Sequence, residues 1–113
     1  MLEIKTFEDY KEAIDPLVLY PRKTQLEALQ YVVLGLNGEA GEVAEQIKKA
    51  MRNDGGELSA ERIESLKKEA GDVLWYLTRL AAELDTSLAE IAEINVEKLY
   101  GRKEQGNLKH EKD

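Results

Sequence analysis

Two long segments with helical apolar periodicity flank a four-residue turn, which restricts the chain to a helix hairpin or a bundle built on one. Before the turn, apolar residues recur at three- and four-residue steps from Leu29 to Met51, and after it they recur from Ile63 to Leu84. The turn, Asn53-Asp54-Gly55-Gly56, consists of residues that tolerate left-handed backbone. Because a short connection favours antiparallel neighbours, the sequence predicts an all-α helical bundle built on a long antiparallel helix hairpin plus a C-terminal helix.

A serine or threonine that can cap a helix precedes each periodic segment. The predicted helices are a short one after Thr6, a long one from Thr24 to about Arg52, a second long one after Ser59, and a C-terminal one from Ser87 to about Gly101. Pro16 and Pro21 end the short helix. The predicted organisation is a single domain with an N-terminal arm at residues 1–22, a helical core at 24–102 and a polar tail at 103–113. The arm would act as a lid or pack on the core.

The length, charge and composition of the chain exclude several classes of function. A length of 113 residues suits one domain, and a formal net charge of −7 argues against a nucleic-acid surface, which is normally basic. No cysteine is present, so disulfides and thiolate zinc sites are excluded. No apolar run resembles a signal peptide or a membrane span. We therefore expect a cytoplasmic protein that binds neither nucleic acid nor membrane.

Two acidic pairs lie at mirrored distances on either side of the glycine turn: Glu39 with Glu42, and Glu69 with Asp72. A hairpin folded about the turn would bring Glu42 level with Glu69 and Glu39 level with Asp72. Four carboxylates in one small volume repel one another unless a cation compensates their charge. The spacing therefore predicts a magnesium site, although acidic pairs three residues apart are also common on solvated helix faces.

Tyr76 and Lys49 lie on the same shoulder of their helices as the acidic pairs. Tyr76 follows Asp72 by four residues, and Lys49 follows Glu42 by seven. Tyr76 could hydrogen-bond a substrate and Lys49 could meet phosphate. The alternatives are a half-buried tyrosine with a hydrated hydroxyl and an ordinary exposed lysine.

Asn95 interrupts the apolar stripe of the last predicted helix, and a buried amide without partners costs about 1 to 3 kcal/mol. Lys98 and Arg102 follow three and seven residues later and form a polar edge with it. Either this edge meets a ligand, or Asn95 only caps a neighbouring helix.

The first long helix contains Gly35, Gly38 and Gly41, each less favourable than alanine by roughly 1 kcal/mol. Close approach of another backbone, a ligand or a packed helix would offset that penalty. Trp75 points nearly opposite the predicted apolar arc of its helix. It would then be exposed, buried in an oligomer interface or stacked on a base, and we favour the interface.

Two sequence motifs carry a family resemblance: Gly-Leu-Asn-Gly-Glu-Ala-Gly-Glu-Val-Ala-Glu at residues 35–45 and Lys-Glu-Ala-Gly-Asp-Val-Leu-Trp-Tyr-Leu at residues 68–77. With Asn95, Lys98 and Arg102, they resemble the MazG-like family of all-α nucleoside triphosphate pyrophosphohydrolases. The resemblance covers about residues 26–102.

This resemblance implies that the four acids bind Mg²⁺, with Mn²⁺ as the alternative ion, and that the substrate is a ribo- or deoxynucleoside triphosphate cleaved to monophosphate and pyrophosphate. Glu39 or Glu42 would accept a proton from water, and the last-helix residues Asn95, Lys98 and Arg102 would surround the triphosphate. Lys49 stands where an aromatic residue of some relatives stacks on the base. The resemblance also implies a homodimer or homotetramer, and a role in cleansing the nucleotide pool is one interpretation.

Three other functions compete with this interpretation. A di-iron carboxylate bundle would need Glu-x-x-His pairs, whereas the only histidine in the sequence is His110 in the tail. A non-catalytic helical module that senses nucleotide or binds a protein partner would use the same fold, since fold alone does not fix function. Phosphoribosyl-ATP pyrophosphohydrolase is the alternative enzyme, although the histidine associated with that branch is absent near the second acidic pair.

Overall fold

A computed structural model describes residues 2–106, and all regular structure in that part of the chain is helical. The elements are α1 (Phe7–Ile14), a 3-10 turn (Asp15–Leu17), α2 (Gln25–Asn53), α3 (Ala60–Glu83) and α4 (Leu88–Glu104). The predicted all-α hairpin bundle is confirmed, with α2 and α3 antiparallel and making most of the contacts between helices. None of these helices is long and apolar enough to cross a membrane.

The helices begin where the cap residues predict. The Thr6 hydroxyl accepts a hydrogen bond from the Asp9 N–H at 3.0 Å, and the Asp9 carboxylate accepts one from the Thr6 N–H at 3.1 Å, which completes a capping box. Thr24, Ser59 and Ser87 cap the next three helices with the hydroxyl bond alone, each accepting from the N–H three residues on. The C-terminal helix ends at Glu104, so it extends past the predicted Gly101 and into the predicted tail. His110 and the rest of the tail from residue 107 lie outside the described residues.

The turn between α2 and α3 is closed by glycine geometry and by one arginine. Gly55 and Gly56 have φ of +68° and +79°, which side-chain-bearing residues rarely adopt. The Arg62 guanidinium donates to both oxygens of Asp54, at 2.8 and 3.3 Å, and to the Gln46 amide oxygen at 2.7 Å. The first turn of α3 is thus tied to the last turns of α2, which fixes the register of the hairpin.

The core lies where the arm crosses the hairpin. Tyr20 from the arm packs with Ala28 and Val32 of α2, and Trp75 and Tyr76 of α3 lie against this group. The prediction that Trp75 points away from the core was therefore wrong. On each long helix, the buried residues lie on a different face from the predicted apolar stripe. They include small and polar residues, such as Ala28 and Thr78, which a search for large apolar residues passes over.

This difference leaves several predicted core positions in solvent. Val33 is 49% exposed and Met51 is 71% exposed, while Ala28, Val32 and Ala50 are the buried residues of α2. On α3, the buried residues include Thr78, Arg79 and Glu83. Apolar surface thus remains along both long helices of the single chain.

An ion-pair network fixes the arm to the end of α3. The Glu83 carboxylate accepts from the Arg22 guanidinium at 2.9 and 3.2 Å, from Arg79 at 3.1 Å, and from the Tyr20 hydroxyl. Arg79 also donates to Tyr20 at 3.0 Å and to Asp15 at 3.4 Å. Arg79 and Glu83 are both buried, so their charges have to be compensated by each other and by the outer partners Asp15 and Arg22. The predicted arm is therefore packed on the core.

Candidate metal centre

Three of the four predicted carboxylates come together between the long helices. One oxygen each from Glu39 of α2, and from Glu69 and Asp72 of α3, lie within 4.8 Å of one another. Glu39 and Glu69 are half-buried, whereas Asp72 is exposed. The predicted level pairing of Glu39 with Asp72 corresponds to this geometry, and the group is open to solvent on the Asp72 side.

Glu39 shows how the charges of this group act on one another. Its pKa is raised above its usual value, first by partial burial and then by the negative charges of Asp72, Glu69 and Glu42. Each cause disfavours the ionised form. A cation placed among the oxygens would remove the electrostatic part of this effect, and oxygen ligands of this kind suit Mg²⁺.

Glu42 lies outside the close trio. It is exposed on α2, one turn after Glu39, and its charge is still felt by Glu39. Its assignment as a metal ligand and as a proton acceptor stays a prediction. The predicted level pairing of Glu42 with Glu69 is not reproduced within the 4.8 Å group.

Aromatic side chains form one wall of the site. A depression of about 270 Å³ is lined by Glu39, Asp72, Trp75 and Tyr76. The Trp75 and Tyr76 rings meet edge to face with centroids 5.0 Å apart. A ligand in this depression would contact carboxylate on one side and aromatic surface on the other, so Tyr76 stands where the sequence predicted a substrate contact.

The Tyr76 hydroxyl is protected from ionisation. Its pKa is raised, first by burial, then by the charge and the hydrogen-bonding hydroxyl of Tyr31, and further by the charges of Glu39 and Asp72. A neutral phenol can donate one hydrogen bond and accept others. Tyr76 can therefore present a proton donor next to a negatively charged group.

The arm also contributes to the surroundings of the carboxylates, which the sequence did not predict. Tyr10 of α1 is half-buried, and its pKa is raised, first by burial and then by the negative charge of Asp72. The arm thus brings a phenol into the electrostatic range of the carboxylates. The helical spacing of Phe7, Tyr10 and Ile14 indicated an amphipathic helix, but no local signal could show which part of α3 that helix would meet.

The remaining predicted site residues do not line this depression. Lys49 is half-buried on α2, where its charge acts on Glu45. Asn95 and Lys98 are exposed on α4, and Arg102 is half-buried on the same helix. The depression at the carboxylates is lined by α2 and α3 residues. A substrate role for these four residues stays a prediction.

The fold and the trio are those of a helical protein with a carboxylate site between antiparallel helices. The profile of the MazG nucleotide pyrophosphohydrolase domain matches residues 27–106. The chain therefore belongs to the MazG family, as the motifs had indicated, and that domain implies a nucleotide substrate and hydrolysis of a phosphoanhydride bond.

One curated relative shares most of the chain. Gene 37 protein of Mycobacterium phage L5 is 39% identical over 100 residues, which cover 86% of this chain and 88% of that protein. No solved structure gives a significant match.

Proposed function

We propose that this protein is a Mg²⁺-dependent hydrolase that cleaves a ribo- or deoxynucleoside triphosphate to the monophosphate and pyrophosphate. The observation that carries the proposal is the convergence of Glu39, Glu69 and Asp72 within 4.8 Å in a chain with a MazG domain. Removal of non-canonical nucleotides from the pool would be a physiological use of this reaction.

The residues present fit a magnesium ion. Three carboxylates supply hard oxygen donors, and their mutual repulsion makes the group costly without a counter-ion. Bound there, Mg²⁺ would supply Lewis-acid activation of water and neutralisation of phosphate charge, and Mn²⁺ could replace it. Glu39, Glu69 and Asp72 would hold the ion, with Glu42 as a further ligand.

The proposed roles of the neighbouring residues follow from their positions. Glu39 and Glu42 are the two candidates to accept a proton from the attacking water, and Glu42, which lies outside the trio, would take this role where it does not bind the ion. Tyr76 would donate a hydrogen bond from its hydroxyl to a sugar or phosphate oxygen. Lys98 and Arg102, with Asn95, would neutralise and orient the triphosphate, as the family resemblance implies.

A product analysis tests the reaction. A panel of ribo- and deoxynucleoside triphosphates is incubated with the purified protein and Mg²⁺ or Mn²⁺, and the products are separated by ion-exchange chromatography. We expect monophosphate and pyrophosphate in equal amounts, and none when EDTA replaces the metal. Diphosphate and orthophosphate would refute the proposed point of attack, and inactivity across the panel would favour a nucleotide-sensing module.

We also propose that the working form is a homodimer or homotetramer. The radius of gyration is 16.9 Å, against about 13 Å for a compact domain of roughly this length. Apolar residues such as Leu34, at 73% exposed, and Met51 remain in solvent along α2. Large apolar side chains exposed along a helix suit an interface, and a second copy would bury them.

The assembly is tested by light scattering coupled to size exclusion. We expect at least twice the mass of one chain for the wild type and a shift toward one chain for Leu34→Asp. Lys67→Glu, which changes charge at an exposed position of α3, serves as a control and should keep the wild-type mass. A wild type with the mass of one chain would refute the proposal.

A further inference from the structure

Gly35 of α2 lies directly beneath the ring of Tyr76. A Cβ atom built at Gly35 would stand 2.1 Å from Cε1, 2.4 Å from Cζ and 2.6 Å from Cδ1 of that ring. Ordinary contact begins at 3.4 Å, so any side chain here would displace the phenol by more than an ångström. The same construction at Gly38 and Gly41 meets nothing within 4 Å. The three glycines of this helix therefore differ, and only the first has a neighbour that requires it.

The ring of Tyr76 is held on its other sides by aromatic neighbours. Trp75 meets it edge to face at 5.0 Å between centroids, and Tyr31 lies at 6.4 Å. Tyr31 in turn stacks on Tyr20 at 4.9 Å with the rings nearly parallel, and Tyr20 is fixed by the Glu83 network. The ring thus has no room to accommodate a methyl group at residue 35 without leaving its place beside Glu39 and Asp72.

We infer that Gly35 is a positioning residue: by lacking a side chain, it sets where the Tyr76 phenol stands beside the carboxylates, and so where a nucleotide is held against them. This inference rests on the proposed function for its catalytic consequence. Its structural part, the seating of Tyr76 on Gly35, can be tested on the protein alone. A misplacement of about 1 Å at a reacting centre lowers rate by up to roughly 100-fold.

The structural test uses Trp75, the only tryptophan in the sequence and a direct neighbour of Tyr76. Gly35→Ala should change the emission maximum and intensity of Trp75, because the ring packed against the indole moves. Gly41→Ala is the matched control: it makes the same chemical change on the same helix, where a Cβ meets open space. It should leave Trp75 emission at the wild-type value. Helix content by far-ultraviolet circular dichroism should be retained in both, since alanine favours helix over glycine.

The catalytic test measures kcat/KM for pyrophosphate release. We expect Gly35→Ala to lower it by about 10- to 100-fold and Gly41→Ala to leave it within about twofold. Tyr76→Ala removes the ring, so the double variant Gly35→Ala/Tyr76→Ala should be no slower than Tyr76→Ala alone, which makes the two changes non-additive. If Gly35→Ala lowered kcat/KM for a reason unrelated to Tyr76, its effect would instead add to that of Tyr76→Ala in the double variant.

The outcomes separate this inference from the proposed function. Wild-type Trp75 emission and wild-type turnover in Gly35→Ala would overturn the inference. If Gly35→Ala does not fold, recovery of folding in Gly35→Ala/Tyr76→Ala supports the seating of Tyr76 on Gly35. A double variant that also does not fold overturns the inference. If the wild-type protein releases no pyrophosphate, the proposed function fails, while the emission of Gly35→Ala against Gly41→Ala still decides whether Gly35 seats Tyr76.

Discussion

Helix α3 carries carboxylates at two sites, and their electrostatic surroundings are opposite. Glu83, near its C-terminal end, accepts hydrogen bonds from Arg22, Arg79 and Tyr20, and its pKa is lowered to about 2, chiefly by the bond from Arg22. In the middle of α3, Glu69 and Asp72 instead face Glu39, whose pKa is raised by burial and by those negative neighbours. The negative charge of Glu83 is compensated by arginines of the same chain, whereas Glu39, Glu69 and Asp72 bring together charges of the same sign.

The difference separates the structural role of Glu83 from the proposed metal-binding role of the trio. The Glu83 network joins the arm to α3 and contributes to stability only while every partner is present. The raised pKa of Glu39 indicates that its ionised form is disfavoured in the folded, metal-free chain, and a carboxylate perturbed in this way beside a depression is typical of a functional site. The two groups should therefore respond differently to substitution, pH and added metal.

The largest expected effect is the loss of turnover in Asp72→Ala. This change removes one of three clustered oxygens, and metal-derived charge stabilisation is worth several kcal/mol. We expect kcat/KM for pyrophosphate release to fall by at least about 1000-fold, while the free energy of unfolding stays near the wild-type value. Glu64→Gln, in an exposed pair with Lys67 at 3.7 Å, is the control and should retain activity. Turnover within threefold of wild type in Asp72→Ala would remove the trio from the mechanism.

Glu83→Gln should have the reverse profile. It removes the buried charge partner of the Arg79 guanidinium and leaves only the more exposed Asp15 at 3.4 Å, and breaking a buried ion pair destabilises proteins by about 3 kcal/mol or more. We expect a lower midpoint of urea unfolding, whereas Glu64→Gln should change stability by less than about 0.5 kcal/mol. A wild-type midpoint for Glu83→Gln would show that the network does not hold the arm.

Stability should also depend on pH in opposite directions for the two groups. Because the folded pKa of Glu83 is about 2 against 4.5 unperturbed, its contribution is present above about pH 4.5 and is lost as pH falls toward 2. This contribution is on the order of 3 kcal/mol. Glu39, with a raised folded pKa, reduces stability above that pKa, and acidification relieves the effect.

Urea unfolding of metal-free protein between pH 2 and 7 measures this dependence. The acid-side loss of stability should shrink in Glu83→Gln and persist in Glu39→Gln. Equal acid-side slopes for Glu83→Gln and the wild type would contradict the assignment to Glu83.

The smallest expected effect is on Glu39 in the absence of metal. Glu39→Gln removes one of the repelling charges and should raise the free energy of unfolding by about 0.5 kcal/mol, the size of a like-charge effect between helix neighbours. Saturating Mg²⁺ should reverse the order, because an ion that binds only the folded state stabilises it by an amount that rises with the logarithm of its affinity. Thermal unfolding with Mg²⁺ or EDTA measures both effects, and an identical Mg²⁺ response in the two proteins would contradict a metal role for Glu39.

Features that depend on nearby residues were predictable from the sequence. The caps at Thr6 and Ser59 and the glycines of the hairpin turn act within a few residues, so their chemistry can be recognised in the chain itself. The mirrored acid pairs also needed only one assumption, a hairpin folded about its turn. That assumption correctly placed Glu39 near Asp72. It did not predict that Glu42 would lie outside the group formed by Glu39, Glu69 and Asp72.

Features that depend on distant packing were not predictable. The predicted orientation of Trp75 was wrong, because it depends on contact with Tyr20. Tyr20 reaches α3 only because of the path that the arm takes across the hairpin. Gly35, Gly38 and Gly41 have the same propensity penalty in the sequence, and only the Tyr76 ring distinguishes the first from the others. The exposure of Val33 and Met51 likewise depends on which side of α2 receives the arm.

The arginine clamp at the hairpin turn has a consequence for the order of folding. Arg62 joins residues 8 and 16 positions away, whereas the contact of Tyr20 with Glu83 spans 63 positions. Closing the shorter loops loses less chain entropy, so we expect the hairpin to form before the arm docks. The repelling carboxylates then meet while the nascent structure is still open to water, and divalent cations in the refolding buffer should accelerate folding more than they slow unfolding.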